Sequence, residues 1–143
     1  MVSIMSHQQS DLIDREGASA GDLSALLPCL KERTWRFALD VIAFLRQLPD
    51  DDTCKVVGRQ LAKSATSVAF NYRAACRSRT HTELTSKLSV VAEEADETAG
   101  WLDLIADAGL MVTSERIVRL RQESRELVAI FSASVGSARR KHR

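Results

Sequence analysis

Proline and glycine are scarce in this 143-residue sequence, two and six residues respectively, and only 5% of the chain is aromatic. So few turn-forming residues leave little means of making the many tight turns of an all-β fold, and the composition favours long helices. The scarcity of aromatics argues against an aromatic-rich surface for stacking bases. Cys29, Cys54 and Cys76 are an odd number at no metal-ligand spacing with no signal peptide ahead of them, which implies a reducing cytoplasm and inert, partly buried thiols. No apolar run approaches the roughly 20 residues of a membrane span, so a soluble protein with no membrane partner is expected.

Catalytic signatures are missing too. The sequence has no glycine-rich phosphate loop and no spacing that suggests a serine or cysteine triad. His7, His81 and His142 lie at segment ends and none stands three residues after a glutamate. That argues against the Glu-x-x-His ligand set of a di-iron helical bundle. Asp50, Asp51 and Asp52 lack the alternating ligands, central glycine and distal glutamate of a calcium loop. They suit a turn that caps the following helix. The expectation is a protein that is not an enzyme, with no catalytic residue, no metal and no cofactor.

What remains is helical periodicity in a chain long enough for one domain. Residues 1–21 are polar and aperiodic and read as a flexible tail; 22–138 read as a four-helix bundle, and 139–143 as a basic tail. Asp22 to Leu27 can add a short turn before Pro28. The first long helix is expected from about Leu30 to Leu48, stopped by Pro49. Its apolar stripe is Trp35, Ala38, Leu39, Ile42, Leu45 and Leu48, with Phe37, Val41 and Phe44 outside it. A helix apolar on more than one face wants more than one neighbour, so Trp35, Phe37, Val41 and Phe44 are assigned to an oligomer interface.

The second helix, about Thr53 to Cys76, repeats Val57, Leu61, Ser64, Val68, Asn71 and Ala75 at steps of three and four. Asn71 on that seam would fix register through its amide. Thr80 and Glu83 have the form of a capping box. The third helix then carries Leu84, Leu88, Val91, Ala95, Thr98, Leu102 and Ile105, and ends near Gly109. After a second capping signal at Thr113 and Ser114, the fourth repeats Ile117, Leu120, Ser124, Leu127, Phe131 and Ser134.

The charges nearly cancel, to +1, but are segregated. Met1–Cys29 and Ser78–Val112 are net acidic, whereas Leu30–Arg77 and Thr113–Arg143 are net basic. Basic helices beside an acidic one can neutralise it within the molecule, and a Lys63 pair with Glu94 or Glu97 is expected. Glu94 and Glu97 face no nucleophile and read as a solvated boundary rather than an acid and base pair. Arg73 and Arg77 one turn apart, Arg79 at the corner, and Arg139, Arg140 and Lys141 at the end are the candidate nucleic-acid contacts. Arg116, Arg119, Arg121 and Arg125 add positive charge to the fourth helix.

Gln60-Leu61, Ser67-Val68, Asn71, Arg79, Thr80 and Glu83-Leu84, followed by the acidic stretch Glu93–Glu97 and by Trp101-Leu102, carry a resemblance across Lys31 to Arg140. The sequence resembles the bacterial four-helix-bundle proteins of the ribosomal-RNA intervening-sequence family, once mislabelled a small-subunit ribosomal protein. It departs from the commoner branch, whose asparagine is followed by Ile-Ala-Glu-Gly, by having Tyr72-Arg73-Ala74-Ala75, which makes an acidic corner basic. The resemblance implies an antiparallel up-and-down four-helix bundle assembled as a barrel-shaped homopentamer and no enzymatic activity. A distant relative, the accessory protein of diversity-generating retroelements, binds nucleic acid and partners a reverse transcriptase. The resulting expectation is a scaffold that binds RNA, DNA or a nucleic-acid enzyme such as a reverse transcriptase. The alternatives are a protein-only adaptor whose charges serve assembly and, less favoured by the histidines, a metal-dependent enzyme.

Overall fold

The helices start and stop where side chains or turn geometry satisfy their end groups. A computed structural model describes residues 20–111 and 114–141, with side chains from residue 29. Helices α1 (Ala20–Leu45), α2 (Asp52–Ala75), α3 (His81–Asp107) and α4 (Glu115–Arg140) make an all-α fold, with no strand among the described residues. The chain divides into two units, Met1–Leu30 and Lys31–Arg143. Residues 1–19 of the tail expected over 1–21, and the side chains of Asp22 to Leu27, lie outside the described residues, as do Val112, Thr113, His142 and Arg143; Ala20 and Gly21 belong to α1.

Asp51 caps α2 by accepting a 2.8 Å hydrogen bond from the Cys54 amide, and this holds its carboxyl below the usual range. Thr80 caps α3 by accepting from the Glu83 amide at 3.1 Å. The return bond of that capping box is displaced by one residue, since Glu83 accepts from the Arg79 amide rather than that of Thr80. Gly109, at φ +62°, ends α3 in the left-handed region that favours glycine, with Leu110 N–H donating to Ile105 O and Gly109 N–H to Ala106 O. Ser114 occupies the capping position of α4, but its hydroxyl makes no capping bond, contrary to the sequence expectation.

Helix α1 is longer at its start and shorter at its end than predicted. Pro28 lies inside it, and beyond Leu45 the chain tightens into three-residue turns, Gln47 N–H to Phe44 O and Leu48 N–H to Leu45 O. Leu45 and Leu48 then lie against Gly58 on α2, where a methyl group would sit 3.4 Å from Leu45 Cδ2.

The core drawn from α2, α3 and α4 follows the heptad steps closely. Val57, Leu61, Ser64, Val68 and Ala75 are buried with Leu88, Val91, Ala95, Thr98, Leu102 and Ile105, and with Ile117, Leu120, Ser124, Leu127 and Phe131. Buried hydroxyls cost little here because each bonds its own helix: Thr98 to Glu94 O, Ser64 to Leu61 O, Ser124 to Arg121 O and, on α1, Thr34 to Lys31 O. At the corner end of α2 the core residue is Tyr72, its ring 5.3 Å from that of Phe131. Asn71 beside it is only half-buried, and its amide donates to Ser67 O on the same helix rather than setting register across helices.

Helix α1 corrects the sequence reading most. Thr34, Phe37, Ala38, Val41 and Phe44, at steps of three and four, form its buried stripe, and Phe37, Val41 and Phe44 are buried by the chain itself. Of the four residues assigned to an oligomer interface, only Trp35 remains exposed; among the described side chains of α1 the other large apolar ones left exposed are Leu39 and Ile42. The two candidate stripes are both apolar, so periodicity on a single helix could not tell which one the other three helices would cover.

Candidate nucleic-acid interface

The predicted basic residues come from two places more than 50 positions apart in the chain, and one contact brings them to the same end. His81 Nε2 lies 2.8 Å from the carbonyl oxygen of Ala138. Two residues before His81 stands Arg79, and immediately after Ala138 stand Arg139, Arg140 and Lys141. Nearby, Arg139 reaches Ser89 on α3. The end of α2 and its turn supply Arg73 and Arg77, so all six predicted residues sit at or within two turns of the corner end.

Their pairing state separates them from most other arginines. Arg33 on α1 holds Glu123 through two bonds of 2.6 and 2.9 Å and also bonds Glu126, so its guanidinium ties α1 to α4 and its proton is held more firmly than usual. Asp103 on α3 accepts from both Arg121 (2.8 Å) and Arg125 (3.2 Å) of α4. Arg36 and Arg119 pair with Glu32 and Glu115 one turn away. By contrast, Arg77, Arg79, Arg139, Arg140 and Lys141 are exposed and make no ion pair among the described residues; Arg140 donates only to the Ser137 hydroxyl. The nearest carboxylate on α3, Glu83, is taken by Lys87 at 2.7 Å and by the Arg79 amide, and both hold it below the usual carboxylate range.

Arg73 is the exception among the six. It is half-buried, with its guanidinium carbon 5.4 Å from the centre of the Trp35 ring, a cation–π contact between α2 and α1. Sequence reasoning placed Arg73 at the site but missed Trp35 and Phe70 beside it, because they lie 35 positions apart. The signal available was weak: Phe70 and Arg73 stand three residues apart near the end of α2, and Arg77 follows in the turn beyond it.

The acidic part of α3 is a different environment. Burial and the neighbouring Glu97 raise the pKa of Glu94, and Lys63 opposes this through space without forming the predicted ion pair. Glu97 instead accepts from the Trp101 indole at 3.2 Å. Among the described residues no group of three histidine, cysteine or carboxylate side chains converges to hold a metal ion, and no helix is long and apolar enough to cross a membrane. A surface hollow of about 470 Å³ on α4, lined by Val118, Gln122, Arg125, Glu126 and Ala129, contains one carboxylate, which Arg33 already binds. None of these places brings a nucleophile to a base.

The sequence profile described as 23S rRNA-intervening sequence protein matches residues 30–133. Among solved structures, the fold is similar to that of a protein of unknown function from the S23 ribosomal protein family of Bacteroides thetaiotaomicron. The TM-score is 0.69 at 23% identity, covering 77% of this chain and 97% of that one. No curated protein matches the chain.

Proposed function

Because the chain belongs to the 23S rRNA-intervening sequence protein family, we propose that it is a non-enzymatic, self-associating scaffold of the cytoplasm that binds RNA, DNA or a nucleoprotein through the corner end. The observation that carries this reading is the meeting of two basic segments, Arg73–Arg79 and Arg139–Lys141, at one end, most of their cations without a carboxylate partner. Unpaired, solvated cations grouped together release counterions when they meet phosphates, whereas paired ones must first give up an ion pair. Arg77, Arg79, Arg139, Arg140 and Lys141 supply the phosphate contacts, with Arg73 at their edge.

The arrangement that suits this role is an antiparallel up-and-down bundle. Supporting it, early α3 meets late α4 at His81 and Ala138, while late α3 meets early α4 at Asp103 and Arg121. The middle of α1 meets late α2 at Trp35 and Phe70, and the end of α1 lies against Gly58 near the start of α2. Assembly as a homopentamer requires two different faces on each copy, since a ring closes through head-to-tail contacts. Exposed apolar residues on α1 (Leu39, Ile42) and on α3 (Val90, Leu104) supply two such faces, which replaces the interface read from Phe37, Val41 and Phe44.

Labelled RNA and DNA titrated at two salt concentrations test the reading. Affinity is expected to fall steeply as salt rises, and to fall further when Arg73, Arg77 and Arg79 are all changed to alanine. Binding that ignores both changes, or no binding at low salt, overturns it and leaves a protein-only adaptor. Sedimentation at micromolar concentration is expected to show an assembly of five copies, and a monomer there removes the ring.

A further inference from the structure

Two of the largest exposed apolar side chains of the molecule sit against each other at the edge of the basic end. Trp35 on α1 is 38% exposed and Phe70 on α2 is 57% exposed, with ring centres 5.9 Å apart and planes at 73°. Arg73, one turn beyond Phe70, lies over the Trp35 ring, and Arg77 follows in the turn just past the end of α2. An edge-to-face aromatic pair is stable packing in itself, yet more than half of Phe70 is left in water. Aromatic side chains left open beside unpaired arginines are the arrangement that single-stranded nucleic acids use, their unpaired bases stacking on the rings while the cations follow the phosphates.

We propose that Trp35 and Phe70, flanked by Arg73 and Arg77, form a stacking platform that selects the unpaired bases of single-stranded nucleic acid over a duplex. This rests on the corner end being the nucleic-acid site and adds the class of ligand. A duplex keeps its base faces stacked on one another, so it can satisfy the arginines but not the rings. A second copy of the chain fits this patch less well than it fits Leu39 and Ile42. Covering Phe70 with protein would desolvate Arg73 and Arg77, neither of which makes an ion pair among the described residues.

The chain has two tryptophans, so a full-length Trp101→Phe variant leaves Trp35 as the fluorescent reporter. It is titrated with a short single-stranded RNA, with the same strand annealed to its complement, and with an abasic strand of equal length. The single strand is expected to quench Trp35 and to bind at least about fivefold more tightly than the duplex or the abasic strand. Phe70→Ala, at an exposed position, is expected to weaken single-strand binding about five- to tenfold while leaving duplex affinity and the salt dependence unchanged. Arg77→Ala is expected to weaken all three ligands together and to flatten the salt dependence. Equal, salt-sensitive binding of all three ligands overturns the platform and leaves the basic end standing, whereas binding of none overturns both. Trp35 fluorescence that responds to protein dilution but not to the single strand assigns the patch to a second copy and overturns the platform.

Discussion

The arginines that pair across helices and those of the corner end have the same side chain and opposite circumstances. Away from the corner, Arg33 is shared by Glu123 and Glu126, and Arg121 and Arg125 share Asp103; each group joins two helices. At the corner, Arg77, Arg79, Arg139 and Arg140 are exposed, and the one nearby carboxylate on α3 is committed to Lys87 and a backbone amide. Positive charge is therefore a poor guide to a binding site until its partners are known. A charge already neutralised contributes to holding helices together, and an unneutralised one is available to a ligand.

Changing Arg33 to alanine tests the paired arginines and carries the largest expected effect on stability. It leaves Glu123 and Glu126 partly buried without a counter-charge, and urea unfolding should show a loss of about 1–3 kcal/mol. Lysine should restore only part of this, because it cannot reproduce the two-bond geometry, and RNA affinity should not change. The paired change Arg139→Ala with Arg140→Ala tests the other side of the contrast. Stability should stay within about 0.5 kcal/mol, while the salt dependence of RNA binding flattens by about one unit of slope for each arginine that meets a phosphate.

Asp103→Asn can break the comparison outright, since it releases Arg121 and Arg125 without adding a cation. Stability should fall by less than about 1 kcal/mol, and RNA affinity should rise by no more than about twofold. A rise matching the loss caused at the corner would show that position is irrelevant and that any free arginine serves.

The smallest effect is expected at Glu94. Its folded-state pKa is raised by burial and by Glu97, so its ionised form is less favourable folded than unfolded. The protonated group is fully compatible with the fold below the unfolded value near 4.5, and that advantage is lost as pH rises through the folded value. Glu94→Gln should therefore raise the melting temperature at neutral pH, with the gain vanishing as pH falls below about 4.5. A gain that persists at low pH would assign the effect to something other than ionisation.

Much of this fold is legible in the order of the residues. Along α3 the steps from Leu88 to Ile105 name every buried position, because a helix apolar on a single stripe has only one way to face a core. The Gly109 turn and the Thr80 cap are equally readable, since each depends on residues within one turn of the chain. Helix α1 is not. It carries one stripe through Phe37, Val41 and Phe44 and another through Trp35, Leu39 and Ile42, and the second is the one left in water. The candidate site is half legible: its cations can be named, but the pairing of Arg33, Arg121 and Arg125, and the Trp35–Phe70 contact, join residues on different helices.

The sequence by itself determined the helices, most of their caps, three of the four buried stripes and the family, because periodicity, end groups and motif spacing act over a few residues at a time. Only the tertiary structure decided which face of α1 is inside, which arginines are neutralised, and that Arg79 and Arg139 share one end. Those outcomes depend on which helix lies beside which, and distance along the chain carries no information about that until the core has closed.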